Sequence, residues 1–471
     1  MSAQTQTRPL ATIVIVNWNG ARLLPACLDG VRKLEAPFAF ETVVVDNAST
    51  DGSVELLRRD YPEVRVVETG ANLGFAGGNN AALRTVTTPY AVLLNNDAVP
   101  EPTWLANLLA PFSAPGGERL GVVTGKVVFM PRFLRLTLST EGFVPGPHDS
   151  RQLGVRVASV QVDGTERLGE VLWERLTYGA EGPADGRYFW TRPTGELLVP
   201  VPPDGQVTIH FRWFAEKTKD VRLSWDGGSA VLPASTGGAD AKLTLDAPRV
   251  DVINNVGGVV FAEGYGADRG YQQIDEGQFD EPQDVFTACG NGMAVRTEVG
   301  APLGWFDDDF FLYYEDTDLS WRIRSCGWDI RYVPDAVLRH LHAASSEEWS
   351  PLFVFHVDRN RMLMLTKDAT VGLALRAVGR YPLTTVSIAL RTARQGLAAR
   401  QRPAVRPTLL RLRVIGSYLR LLPRMLNRRR RISRAAAVSR RQLQTWLVDP
   451  ASGNTAPAAP SEEATNGEAA A

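Results

Sequence analysis

Four apolar runs in the first hundred residues each end in a polar cluster, and this repetition constrains the fold more than any other feature of the chain. Ala11 to Val16 closes on Asn17-Trp18-Asn19-Gly20, and Glu41 to Val45 closes on Asp46-Asn47-Ala48-Ser49-Thr50-Asp51-Gly52. Val64 to Glu68 leads to Asn72-Leu73-Gly74-Phe75 and Asn79-Asn80, and Tyr90 to Leu94 leads to Asn95-Asn96-Asp97. Helices follow the first three, as the spacing of Leu23, Leu24, Cys27, Leu28 and Val31 indicates. Alternating strands and helices predict a parallel sheet covered on both faces, with ligands off the carboxyl ends of its strands. All four polar clusters then share one edge. The first loop lacks G-x-G-x-x-G, which disfavours NAD.

A second region supplies acids. Phe310 to Tyr314 is an aromatic run suited to a buried strand or turn. Glu315, Asp316 and Asp318 then open a helix, with Leu319 and Ile323 in register and Gly327 as its stop. Acids in a first turn complement the helix dipole, so capping explains them as well as catalysis does. Asp46 can contact a base or ribose, or it can form an Asx-turn or cap, as Ser49 and Asp51 can. Asp97 is either a turn residue or a hard-oxygen ligand for a cation that bridges two phosphates. Gly290 and Gly292 flank a short strand where the backbone can approach a ligand or form a bulge.

Between these regions, from about Thr137 to Arg249, helical periodicity disappears. Short β-type runs such as Val155 to Val162, Val171 to Tyr178 and Val207 to Phe214 suggest a small antiparallel sandwich inserted into the main domain. Its Trp173, Trp190, Trp213 and Trp225 serve either as core or as platforms for sugar rings. With 471 residues, the chain is long enough for a principal domain plus such a module.

The net charge of −1 conceals an asymmetry: from Arg376 to Val448 there are 18 arginines and no Asp, Glu or Lys. Apolar sets such as Leu409, Leu410, Val414, Tyr418, Leu421 and Leu422 alternate with them, as in amphipathic helices at an anionic membrane surface. A packed helical subdomain or nucleic-acid contact would also use arginine, but no aromatic stacking module accompanies these residues. Nucleic acid is therefore not an expected partner. Three widely spaced cysteines, Cys27, Cys289 and Cys326, argue against a disulfide framework and for a reducing compartment. The start of the chain lacks a signal-peptide pattern, and no apolar run is long enough to span a bilayer.

In this order the motifs resemble family 2 inverting glycosyltransferases, especially bacterial rhamnosyltransferase-like and galactofuranosyltransferase-like members. The resemblance covers roughly residues 10 to 136 and 251 to 367, and includes Cys289-Gly290, Tyr314-Glu315-Asp316-Thr317-Asp318 and Pro334-Asp335 with His340. It implies an α/β GT-A nucleotide-sugar-binding fold that transfers sugar from a nucleoside diphosphate sugar, for which dTDP-rhamnose is the first candidate. A lipid-linked or cell-envelope polysaccharide would be the acceptor. By the same resemblance, Asn17, Asp46, Asn72, Gly74, Asn79 and Asn96 would bind the donor, with Asp46 at the base or ribose. Asp97 would hold a divalent cation, Mg or Mn, with His340, and His342 is a weaker candidate. Asp316 would be the base, with Glu315 toward the acceptor and Asp318 bracing the loop or pairing with an arginine. Asn95 stands where the family has the first acid of D-x-D, which makes the cation more dependent on His340 and the diphosphate.

The expected organisation is a disordered N-terminus (1–9), a nucleotide-binding half (10–136) and an inserted β-sandwich-like module (137–250). An acceptor and catalytic half (251–367), a basic helical region (368–448) and a disordered acidic tail (449–471) follow. The expected location is cytoplasmic, peripheral on the inner face of the cell membrane. Two other functions fit parts of the pattern: a non-catalytic carbohydrate-binding protein on a transferase scaffold, and a sugar nucleotidyltransferase. The second would want a glycine-rich basic triphosphate loop after the first strand, which is missing.

Overall fold

The computed structural model describes residues 8–147, 149–173, 176–183, 186–217, 220–341, 350–400, 402 and 405–449. The expected disordered ends lie outside these residues apart from positions 8, 9 and 449, and His342 lies outside them too. Contacts divide the described chain into two compact units. One comprises the residues up to Met130, Ile253–Tyr271 and those from Gly277 onward; the other comprises Pro131–Val252 with Gln272–Glu276.

The first unit is built on a ten-stranded sheet. Strands β1 (Ala11–Asn17), β2 (Phe40–Asp46), β3 (Arg65–Glu68) and β4 (Tyr90–Asn95) run parallel in the spatial order β3-β2-β1-β4. Helices α1 (Leu24–Arg32), α2 (Ser53–Asp60) and α3 (Gly74–Leu83) make the crossovers. Near-continuous Val, Ile and Leu runs suit β1 and β4 because both faces are covered. Beyond β4 the expected parallel arrangement gives way to a mixed sheet. The strand Gly292–Arg296 lies antiparallel to β4, and β6 (Leu120–Phe129) lies beside it. The long strand Asp329–His340 then runs parallel to β6, and the short β5 (Ala98–Pro100) pairs with its end. Chain segments that return from a distance are free to enter the sheet in either direction. Two hydrophobic clusters sandwich the sheet, one containing Ile13, Ile15, Leu94 and Trp104, the other Val14, Val43, Leu93, Met293 and Ile323.

Six further helices complete this unit: α4 (Trp104–Ser113), α5 (Thr297–Gly300), α6 (Glu315–Ser325), α7 (Pro351–Asp368), α8 (Val371–Ala399) and α9 (Arg406–Ala435), before the short α10 (Arg440–Gln444). Gly327, with φ +89°, follows the C-cap Cys326 and stops α6, as a left-handed residue past a helix end does. A third cluster joins α7, α8 and α9 through Leu363, Leu373, Tyr381, Val414, Tyr418 and Met425.

The second unit consists of two antiparallel sheets. One holds Thr177–Glu181, Tyr188–Thr191, Arg156–Val162, Val207–Phe214 and Ala239–Leu245; the other holds Thr194–Val201, Arg132–Ser139, Asp220–Trp225 and Gly228–Pro233. Alternate residues of both sheets meet in one core, as in Leu134, Leu136 and Leu138 against Val207, Ile209 and Phe211. Of the expected run Val171 to Tyr178, Leu172 bridges Leu198, Thr177 and Tyr178 lie in a strand, and positions 174 and 175 lie outside the described residues. Trp173 and Trp213 belong to the core, and Trp190 and Trp225 are partly buried, so packing accounts for much of their surface.

Candidate functional site

Parallel register brings the polar strand ends together. Asn17 pairs with Asp46, and Asn95 lies across from Val16. Asn17 is fully buried; its Nδ2 donates to Asp46 Oδ1 and to Ser49 Oγ, both at 3.2 Å, while its Oδ1 accepts from Asn96 Nδ2 at 2.9 Å. The Ser49 N–H donates to Asp46 Oδ2 at 2.9 Å, closing an Asx-type turn. Asp51 reaches across to accept from the Ala21 N–H at 2.8 Å. A Cβ at Gly20 would lie 2.3 Å from Asn17 Oδ1 and 2.4 Å from Asn96 Nδ2, so a side chain there would have to displace this bonded pair.

The third loop docks on the segment that leads into the acidic helix. Asn72 Oδ1 accepts from the Gly74 N–H at 2.9 Å, and Asn47 Nδ2 donates to the Gly74 carbonyl at 2.9 Å. Gly74 has φ +71°, and a Cβ there would lie 2.4 Å from the Phe311 carbonyl oxygen, which also accepts from the Ala76 N–H. Asn79 turns back onto its own helix, donating to the Phe75 carbonyl. Its neighbour Asn80 bonds the Phe306 backbone in both directions and donates to Asp308 Oδ1.

Before α6 the backbone is strained. Phe311, Tyr313 and Tyr314 have φ of +67°, +69° and +69°, a region that bulky side chains rarely occupy. A residue that sequence inspection overlooked holds this turn. Asn360, fully buried in α7, has its Nδ2 within 2.8 to 2.9 Å of the carbonyls of Phe310, Leu312 and Tyr313. Arg359 adds bonds to the Asp309 and Phe310 carbonyls. No local spacing signals this role, because the partners lie nearly fifty positions away. Asn360→Leu removes the donor from the Leu312 and Tyr313 carbonyls and is expected to cost about 3 kcal/mol, to be read from urea denaturation.

His356 sits beside this clamp, its Nδ1 accepting from Arg359 Nη2 at 3.1 Å. Burial, and then the Arg359 charge, lower its imidazole from 6.5 to about 4. The unfolded chain therefore takes up the proton first, and this contribution to stability is present above about pH 6.5 and lost as pH falls toward 4. Discounted for partial solvent access, His356→Gln should remove about 1 kcal/mol of the stability difference between pH 7 and pH 5. Thermal denaturation at the two pH values checks it.

The turn delivers three acids to unequal surroundings. Asp316 is half-buried; its Oδ2 accepts from the Gly290 N–H at 3.0 Å and its Oδ1 from the Thr317 N–H at 2.6 Å. Burial raises its pKa, and these bonds oppose the rise. Glu315 is buried with Oε2 unpartnered, and burial, followed by the charges of Asp316 and Asp318, pushes it well above the usual carboxylate range. Asp318 is fully buried and occupied by cations: Arg322 Nε lies 2.8 Å from its Oδ2, and Lys367 Nζ contacts its Oδ1. Burial would raise Asp318, but Lys367 and then Arg322 overcome it and hold the carboxyl at about 2. Lys367 also reaches Asp307 Oδ2 at 2.6 Å, and Arg428 of α9 lies 2.6 Å from both Asp307 and Asp309.

Asp97 is buried, and Oδ1 lacks a hydrogen-bond partner; His340 Nε2 lies 3.3 Å from it. His340 Nδ1 is 3.2 Å from Asn254 Oδ1. With the proton on Nδ1, Nε2 turns a lone pair toward the Asp97 oxygen, and two such acceptors accommodate a cation between them. Among the described residues, no group of three or more His, Cys, Asp or Glu could hold a metal. The pair therefore fits a cation completed by ligand and water oxygens rather than one caged by protein. Asn95 Oδ1 and both side-chain polar atoms of Asn291 are likewise buried without partners. The Asn95 N–H donates to the Asn291 carbonyl, and Asn291 follows Gly290, which holds Asp316. A path of chain adjacency and hydrogen bonds thus links Asp97 through Asn95, Asn291 and Gly290 to Asp316 and Glu315. Buried polar groups without a protein partner are places where water, an ion or a polar ligand can complete the bonding.

Known proteins match the same segments. The model of "Glycosyl transferase family 2" matches residues 12–135, and that of "Glycosyltransferase like family 2" matches residues 249–354. An N-acetylglucosaminyl-diphospho-decaprenol L-rhamnosyltransferase of Mycobacterium tuberculosis is 34% identical over 128 residues, 26% of this chain and 36% of that protein. Glycosyltransferase AglE of Haloferax volcanii is 26% identical over 121 residues, 25% of this chain and 40% of that protein. The matched segments thus span less than half the length of either relative. A solved mannosyltransferase from Pyrobaculum calidifontis, in complex with GDP-Man and Mn2+, superposes with a TM-score of 0.39 at 16% identity, covering 91% of this chain and 86% of that one. With two family models meeting on the segments that form the sheet edge and the acidic helix, residues 12–135 and 249–354 of this chain carry the glycosyltransferase family 2 domain.

Proposed function

We propose that this chain is an inverting glycosyltransferase with a GT-A donor domain, moving a sugar from a nucleoside diphosphate sugar to a lipid-linked or cell-envelope polysaccharide acceptor. The observation that carries this reading is the path of unpaired buried polar atoms from Asp97 to Glu315, ending beside a carboxylate held at a helix start. Asp46, braced by Asn17 and Ser49, receives the base or ribose, with Asn72, Gly74, Asn79 and Asn96 shaping the donor side. Asp316 takes the proton from the acceptor hydroxyl as that oxygen attacks the anomeric carbon. The bond from that carbon to the diphosphate breaks on the opposite face, and configuration inverts. Glu315 meets the acceptor, and Asp318 braces the helix through Arg322 and Lys367. Asp97 and His340 would hold a Mg or Mn ion, which when bound offsets charge on the departing diphosphate.

Similarity to a rhamnosyltransferase supports dTDP-rhamnose as the first donor to try. The test is a panel of nucleoside diphosphate sugars offered with polyprenyl diphosphate-linked and free saccharide acceptors, the product anomer being read by NMR. An inverted glycoside from one donor is the expected result. A product with retained configuration, or pyrophosphate release from a nucleoside triphosphate without transfer, would overturn the reading.

A further inference from the structure

We infer that α8 and α9 form a docking surface for an anionic phospholipid bilayer. Each helix has two apolar sides. On α8, Leu373, Ala377, Tyr381 and Thr385 face the protein, while Val371, Leu375, Leu383, Val386, Leu390 and Leu397 recur at helical spacing as a separate, exposed stripe. The exposure is large, 71% at Leu383 and 81% at Leu397. On α9, Val414, Tyr418, Leu421 and Met425 are buried, and Leu409, Leu412, Leu419 and Leu426 form the exposed stripe.

Arginines border both stripes. Arg406, Arg413 and Arg420 stand seven apart along α9, all exposed and without an ion pair among the described residues, and Arg431 continues the row. Arg376, Arg380 and Arg394 flank the stripe of α8. Other arginines of the basic run face inward: Arg428 pairs with Asp307 and Asp309, Arg429 donates to the Thr366 and Ala369 carbonyls, and Arg411 donates to Thr384 and Thr385. The apparent cluster at 428–431 therefore divides, and the outward arginines share a side with the leucines.

Among the described residues no helix is long and apolar enough to cross a membrane. Two helices of about 45 Å each, with an apolar stripe edged by arginine and no acid from Arg376 to Val448, suit the plane of a bilayer whose headgroups carry negative charge. A protein partner offers no comparable reason for so uniform a positive border. The same α9 reaches the catalytic turn through Arg424 and Arg428, so docking would orient the acidic helix relative to the surface. The surface itself does not rest on the assignment of the reaction, because it can be measured without donor.

Flotation of the full chain with phosphatidylcholine vesicles, and with vesicles containing a third phosphatidylglycerol, tests the proposal. Binding to the anionic vesicles is expected, with roughly tenfold loss of partitioning for Arg413→Glu/Arg420→Glu and for Leu383→Glu/Leu390→Glu. Circular dichroism checks that both variants fold. Wild-type chain that floats with neither vesicle overturns the proposal, as does binding that both variants retain. Self-association abolished by the leucine changes would assign the face to a second copy instead. Flotation seen only after removal of residues 450–471 would assign it to the acidic tail.

Discussion

Asp316→Asn is expected to lower the turnover number by about a thousandfold or more while leaving donor affinity within about twofold. The amide keeps an oxygen to accept from the Gly290 N–H, so the helix start should survive. What it loses is the ability to take a proton. The same logic sets a pH limb: burial raises the Asp316 pKa, and turnover should fall as pH drops through that raised value. Isothermal titration with the nucleoside diphosphate, alongside single-turnover kinetics, separates binding from chemistry. A variant that transfers at the wild-type rate would remove Asp316 from the mechanism and return Glu315 to consideration, despite the unfavourable cost of ionising it beside Asp316.

The second large effect is on stability. Lys367→Met keeps the volume of a fully buried side chain but leaves Asp307 and Asp318 facing Arg428 and Arg322 without their shared ammonium. Breaking a buried ion network in this way costs about 3–5 kcal/mol at neutral pH. The sign of its pH dependence follows from Asp318. In the native chain its carboxyl lies near 2 rather than its ordinary 3.8, so it contributes stability present above about pH 4 and lost as pH falls through 2. Without Lys367 that carboxyl rises and can take up a proton in the folded state, so the deficit should shrink between pH 7.5 and pH 4.5. Urea denaturation at the two pH values measures it. Equal midpoints for variant and wild type at pH 7.5 would mean the network is not a source of stability.

Much of the site was legible because it is written in local pattern. An apolar run that stops at Asn or Asp announces a strand end, and four such runs in alternation with helices put Asn17, Asp46 and Asn95 on one edge, as the parallel register does. The helix starting at Glu315 and its stop at Gly327 were legible for the same reason. The sheet's mixed direction was not, since Gly292–Arg296 carries the same residues whichever way it runs. In the second unit, Arg132–Ser139 and Thr194–Val201, which pair with each other, were not among the expected runs.

From the chain alone came the alternation of strands and helices, the polar edge, the acidic helix start and the stretch of 18 arginines without an acid. These depend on periodicity and composition over a few turns. Tertiary structure alone supplied the partners of the acids, giving Asp318 to Lys367 and Arg322 and Asp316 to the Gly290 N–H. It also drew on Asn360 to hold Tyr313 and Tyr314 in a left-handed turn, and turned some arginines inward and others out. The physical reason is common to all three. A buried charge or carbonyl must find its partner wherever the fold brings one, and the Phe306 carbonyl takes its donor from Asn80, 226 positions away.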